Sequence, residues 1–124
     1  MLKPLILICD DELGVRESLR VVLGKEYELA FAEDGKEAVE YIERHTPELV
    51  ILDVKMPKMD GLEALKKIKM AKHFVCVLMI TGYESRDVAD AATRLGACGY
   101  LTKPVDRKTV LAQVKEILEH RKGA

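Results

Sequence analysis

Val50-Ile51-Leu52-Asp53-Val54-Lys55-Met56-Pro57 decides how this chain folds. With Leu49 ahead of it, an unbroken apolar run ends on an aspartate and is closed by a proline. A short apolar run edged by turn residues fits a strand buried on both faces of a parallel sheet. Pro57 has no amide proton to give to a ladder, so the strand stops before it. Asp53 then stands at or just past the carboxyl end of a central strand, where open α/β sheets place their ligands. Aspartate also commonly opens a turn after a strand, so the neighbouring segments must choose between the two readings.

Outward from this stretch, five apolar segments alternate with five helical patterns. Leu5 to Cys9 reads as a first strand, followed by Asp10, Asp11 and Glu12 and then a helix with Val15, Leu19, Val22 and Leu23 inward until Gly24. Tyr27 to Ala32 reads as a second strand, placed near an edge because Glu28 interrupts it. Asp34 and Glu37 form a capping pair for a helix with Ala38, Val39 and Ile42 inward. Beyond Pro47 comes the third strand, Leu49 to Leu52, and after its loop Gly61 admits a helix carrying Leu62, Leu65 and Ile68. Val75 to Ile80 is the fourth strand, closed by Thr81-Gly82. Ser85 caps a helix with Val88, Ala91, Ala92 and Leu95 on one face, ended by Gly96. Gly99-Tyr100-Leu101 is a short fifth strand running into Thr102-Lys103-Pro104, and the last helix aligns Val110, Leu111, Val114, Ile117 and Leu118. Strict strand-helix alternation with short connections predicts a parallel sheet covered by helices on both faces.

The 124 residues suit one domain, spanning 1–124, with a single core. Twenty basic against 21 acidic residues give a net charge of −1, so no nucleic-acid or membrane surface is called for. Cys9, Cys76 and Cys98 are odd in number, far apart and in apolar contexts, which predicts buried, reduced thiols and a cytoplasmic location. The opening Leu5 to Cys9 run is too short for a secretory core and is followed by aspartates instead of a cleavage site.

The carboxyl ends of the strands carry the chemistry. Strand one ends on Asp10 and Asp11, strand three on Asp53, strand four on Thr81 and strand five on Lys103. All parallel strands end on one rim, so these side chains converge if the strands are neighbours. Each has an ordinary reading as cap, turn residue or solvated lysine, but independent accidents would scatter over both rims. Two carboxylates about 4.5 Å apart repel by roughly 4 kcal/mol at an effective dielectric near 20. Three of them therefore need a cation beyond one lysine, and a few carboxylates with positions left for water and phosphate oxygens suit Mg2+. With such an ion a carboxylate like Asp53 can attack phosphorus, with Lys103 and Thr81 on the phosphoryl oxygens.

The chain resembles the receiver domains of two-component response regulators, the chemotaxis-regulator type included, over essentially its whole length. The resemblance rests on Asp10-Asp11, on Asp53 with Met56-Pro57 and Met59-Asp60-Gly61, on Thr81-Gly82, and on Gly96 to Pro104. It implies a flavodoxin-like α/β fold of type (βα)5, with five parallel strands in the order 2-1-3-4-5. It also implies a signalling switch in which Asp53 takes a phosphoryl group from a phosphohistidine on a sensor kinase or phosphotransfer protein. The catalysis implied is confined to its own phosphorylation and dephosphorylation. By the same resemblance Asp11, Asp53 and the backbone carbonyl of Lys55 hold Mg2+, with Asp10 acting through water. Thr81 and Lys103 bind phosphoryl oxygens, Tyr100 is the switch aromatic, and the Lys103-Pro104 bond is cis.

The output surface is then the fourth helix, fifth strand and fifth helix, with Asp87, Asp90, Arg94, Lys108 and Lys115 as exposed candidates for a downstream effector protein or an attached effector domain. The alternative within the family is the amino-terminal module of a larger DNA-binding transcription regulator, the receiver itself touching neither nucleic acid nor membrane; a dimer formed on phosphorylation is compatible with either. Lys55 and Tyr83, two residues after Asp53 and Thr81, are large enough to shield an acyl phosphate from water, which predicts slow self-dephosphorylation. Other classes lack their motifs here. A flavin carrier would want a Ser, Thr and Gly-rich loop after strand one, and a dehalogenase-type phosphatase a second aspartate where Lys55 stands. No GxxxxGK segment supports a nucleotide hydrolase.

Overall fold

The computed structural model describes residues 2–82 and 85–123, leaving out the side chains of the last three. Five strands and five helices alternate: β1 (Leu5–Cys9), α1 (Leu13–Leu23), β2 (Glu28–Ala32), α2 (Gly35–Arg44), β3 (Leu49–Asp53), α3 (Gly61–Ala71), β4 (Cys76–Thr81), α4 (Arg86–Arg94), β5 (Gly99–Thr102) and α5 (Arg107–Gly123). The strands form one parallel sheet in the order β2-β1-β3-β4-β5. β2, with its exposed Glu28, is indeed an edge strand.

Period-two alternation splits the apolar runs between two half-cores. Leu7, Val50, Leu52, Val77 and Met79 face α2, α3 and α4, meeting Ala38, Ile42, Ala64, Leu65, Ile68 and Ala92. Ile6, Ile8, Leu49, Ile51, Leu78 and Ile80 face α1 and α5, meeting Leu19, Leu23, Val110, Val114 and Leu118. Consecutive apolar residues in β3 thus serve opposite faces, which is why every one of its five residues is buried. Among the described residues no helix is long and apolar enough to cross a membrane.

Local chemistry sets the element ends. Asp34 accepts from the Glu37 amide at 2.9 Å, Asp60 from the Glu63 amide at 2.9 Å, and Ser85 from the Val88 amide at 3.3 Å. Gly96 closes α4 with φ +101°, a left-handed conformation open to glycine. Gly24 ends α1 without that turn, at φ −64°. The Tyr27 amide is spent on Leu23 O at 3.1 Å, so Tyr27 belongs to the turn after α1 and β2 begins at Glu28.

The expectation of three buried thiols needs correcting. Only Cys9 is buried; Cys76 is half-buried and Cys98 exposed, because Cys98 lies in the turn leading to the short edge strand β5 instead of inside the sheet. On α4, Ala92 is buried and Val88 and Leu95, half-buried, pack against the same half-core, with Ala91 also half-buried.

Candidate functional site

The sheet register brings the site residues together. β1 and β3 pair so that Cys9 lies opposite Leu52, and the next residues out, Asp10 and Asp53, emerge side by side. β3 and β4 place Asp53 opposite Ile80, one residue short of Thr81, and β4 and β5 place Thr81 opposite Thr102, one residue short of Lys103. Asp53 and Thr81 are each the last residue of their strand. Asp10 is fully buried, Asp53 3% exposed and Thr81 1% exposed, so the three side chains form the floor of a depression that Asp11 and Glu12 edge from the surface.

Lys103 enters this floor from β5. Its amide donates to Thr81 O at 2.6 Å, and its bond to Pro104 is cis, as the resemblance implied. Its Nζ lies 2.8 Å from Asp10 Oδ2, 3.2 Å from Glu12 Oε1 and 3.4 Å from Asp53 Oδ2. The contact to Asp10 Oδ2 is ionic without hydrogen-bond geometry, which leaves that buried oxygen with no hydrogen-bond donor. Asp10 Oδ1 accepts from the Glu12 amide at 2.9 Å.

The β3–α3 loop is folded hard against Asp53. The Gly61 amide donates to Val54 O at 2.6 Å, and a Cβ on Gly61 would run into the Asp53 carbonyl oxygen and the Val54 Cα. Glycine is therefore the residue that allows α3 to start this close to the strand end. Lys58, at the apex of the loop, has φ 68°, and its ammonium lies 3.6 Å from Asp34 Oδ2.

Carboxylate oxygens of Asp10, Asp11, Glu12 and Asp53 all lie within 4.8 Å of one another. At that spacing each ionised pair repels by roughly 3 kcal/mol at an effective dielectric near 20. Burial first, then the charge of Asp10, pushes the Asp53 carboxyl up to about 6, against the opposing pull of Lys103. Lys103 itself is pushed down by burial, but the close ionic contact with Asp10, the charge of Asp53 and the hydrogen bond to Glu12 outweigh this and raise it. An all-oxygen set of crowded carboxylates, one buried oxygen of which has no hydrogen-bond donor, fits a hard divalent cation.

Lys55 is exposed and, with Glu12, Asp53, Thr81, Gly82 and Lys103, lines an open cavity of about 270 Å3 over the acidic floor. Tyr83 lies outside the described residues. Tyr100, on β5, is half-buried and packs against the half-core under α2, α3 and α4. Asp87, Asp90, Arg94, Lys108 and Lys115 are all exposed on α4 and α5. Glu12 is the site residue that the sequence reading passed over. Its only signal was its place as a third consecutive acid at the same strand end.

Residues 6–115 match the model of the response regulator receiver domain family. The chain belongs to that family. Among proteins similar to this receiver domain, sporulation initiation phosphotransferase F of Bacillus subtilis is 36% identical over 119 residues, 95% of this chain and 96% of that protein. A CheY-like receiver domain protein from Methanospirillum hungatei superposes with a TM-score of 0.94 at 31% identity, covering 99% of this chain and 98% of the other. CheY of Borrelia burgdorferi, in a structure of its complex with CheX, BeF3 and magnesium, superposes with a TM-score of 0.90 at 29% identity over 94% of this chain and 90% of the other. The protein is thus a receiver domain of two-component signalling, with the flavodoxin-like order of strands that its relatives share.

Proposed function

We propose that Asp53 is the phosphoacceptor of this receiver domain, taking a phosphoryl group from a phosphohistidine on a sensor kinase or phosphotransfer protein. The observation that carries this is the placement of Lys103 Nζ 3.4 Å from Asp53 Oδ2, in a cavity that also presents Thr81. An Asp53 carboxylate oxygen forms the new bond to phosphorus while the P–N bond breaks and its electron pair stays on the imidazole. Lys103 and the Thr81 hydroxyl are positioned to hold peripheral phosphoryl oxygens, where charge builds as the group transfers.

Asp10, Asp11, Asp53 and the backbone carbonyl of Lys55 are the residues that would hold Mg2+. When bound, the ion offsets the carboxylate charge and that of the arriving phosphoryl oxygens. Burial of Asp53 acts the other way on its charge, raising the need for that offset, while a carboxylate stripped of water is a stronger nucleophile. The conformational readout is a population shift in which Thr81 is held toward the phosphoryl group and the Tyr100 ring turns into the space released, changing the α4-β5-α5 face presented to an effector. The protein acts as a cytoplasmic switch, with catalysis limited to its own phosphoryl group.

Intact mass after incubation with acetyl phosphate and Mg2+ tests this reading. A gain of one phosphoryl group that disappears in Asp53→Asn is expected; the same gain in the variant would sink it.

A further inference from the structure

We infer that Glu12 is a specificity-determining residue: its carboxylate lies over the mouth of the site on Lys103 and selects against small, highly charged phosphodonors. The inference rests on the reading of Asp53 as phosphoacceptor. Glu12 is the N-cap residue of α1, yet its side chain makes no cap hydrogen bond, whereas the N-cap side chains of α2, α3 and α4 all do. Its amide is taken by Asp10 Oδ1 at 2.9 Å. The side chain instead crosses the site entrance and places Oε1 3.2 Å from Lys103 Nζ.

Glu12 thus shares with Asp53, at 3.2 Å and 3.4 Å, the one ammonium that faces the acceptor oxygen. The three carboxylates on Lys103 are not equivalent. Asp10 and Asp53 side chains are 1% and 4% exposed, but that of Glu12 is 64% exposed. Glu12 is therefore the partner that can leave at little cost, and it lines the same cavity that a donor must enter to reach Asp53. An incoming phosphoryl group meets its negative charge first and must then compete with it for the lysine.

The transfer balances without a cofactor other than the cation. With acetyl phosphate, Asp53 Oδ bonds to phosphorus as the P–O bond to acetate breaks and acetate leaves with the electron pair. With phosphoramidate the P–N bond breaks and ammonia leaves. Acetyl phosphate is a dianion near neutral pH and phosphoramidate is largely a monoanion, so a charge gate must treat them differently.

The test compares initial rates of phosphoryl gain for wild type and Glu12→Gln with each donor, by intact mass, at saturating Mg2+ and at low and high ionic strength. The variant should react about three- to tenfold faster with acetyl phosphate and less than about twofold faster with phosphoramidate. The difference should shrink toward none at about 1 M salt, where screening reaches only about 3 Å. Calorimetry should show Mg2+ affinity lowered by less than about tenfold; a larger loss would make Glu12 a metal ligand and overturn the gate. Equal acceleration for both donors, no acceleration, or a ratio indifferent to salt also overturns it. If wild type gains no phosphoryl group from either donor, it is the acceptor reading of Asp53 that fails.

Discussion

Replacing Asp53 with Asn should stabilise the metal-free protein. Asp53 is almost fully buried beside Asp10, and its carboxyl is pushed from 3.8 up to about 6, chiefly by burial. A carboxyl whose folded pKa lies above its unfolded one binds its proton more tightly in the folded state, so stability falls as pH rises from about 4 to about 6 and stays reduced above it. A shift of about two units corresponds to roughly 3 kcal/mol. Asn keeps the shape and discards the charge, so a gain of about 1 to 3 kcal/mol is expected at pH 7, less whatever the lost attraction to Lys103 removes. For a domain of this size that raises Tm by about 5 to 10 °C. The assay is thermal unfolding followed by circular dichroism with a chelator present, at about pH 7 and again near pH 4. The advantage of the variant should be large at the first and much smaller at the second, where the folded wild-type carboxyl is neutral and the unfolded one only about half ionised. Saturating Mg2+ should restore the wild type more than the variant, because a ligand stabilises the state that binds it. A variant less stable than wild type at pH 7, or an advantage that ignores pH, would refute the claim that crowded charge strains this site.

Lys103→Met removes the ammonium 2.8 Å from buried Asp10 and leaves that charge uncompensated; a loss of about 2 to 4 kcal/mol is expected in metal-free urea unfolding, with part of it recovered on adding Mg2+. Gly61→Ala drives a methyl group into the Asp53 carbonyl and the Val54 Cα, so the denaturation midpoint should fall by an amount worth at least about 2 kcal/mol with an unchanged slope. Lys55→Asn opens the side of the cavity over Asp53 and should shorten the phosphoryl lifetime severalfold in a chase after donor removal; an unchanged lifetime would dismiss the shielding role.

The sheet was legible because apolar runs such as Leu49 to Leu52 end in residues that cannot extend a ladder, and because buried parallel strands need no polar face. Strand order was not readable from those runs. Leu5 to Cys9 and Cys76 to Ile80 look alike, and which neighbours which is fixed by crossovers that no local pattern encodes. It came through resemblance alone. Asp10, Asp53, Thr81 and Lys103 were visible because strand ends share a rim, whatever the order of the interior strands. Glu12 was missed because whether it caps α1 or reaches Lys103 depends on side-chain torsions set by a residue far along the chain. Cys98 was misplaced because an apolar sequence context implies burial only inside an element, and this residue precedes the short edge strand.

The amide of Lys103 is hydrogen-bonded to the carbonyl of Thr81 at 2.6 Å. The hydroxyl and ammonium bearers are therefore hitched through the main chain, and the tips of β4 and β5 move as one jaw. A pull on either residue therefore bears on the other through the backbone, with no side chain needed to carry it.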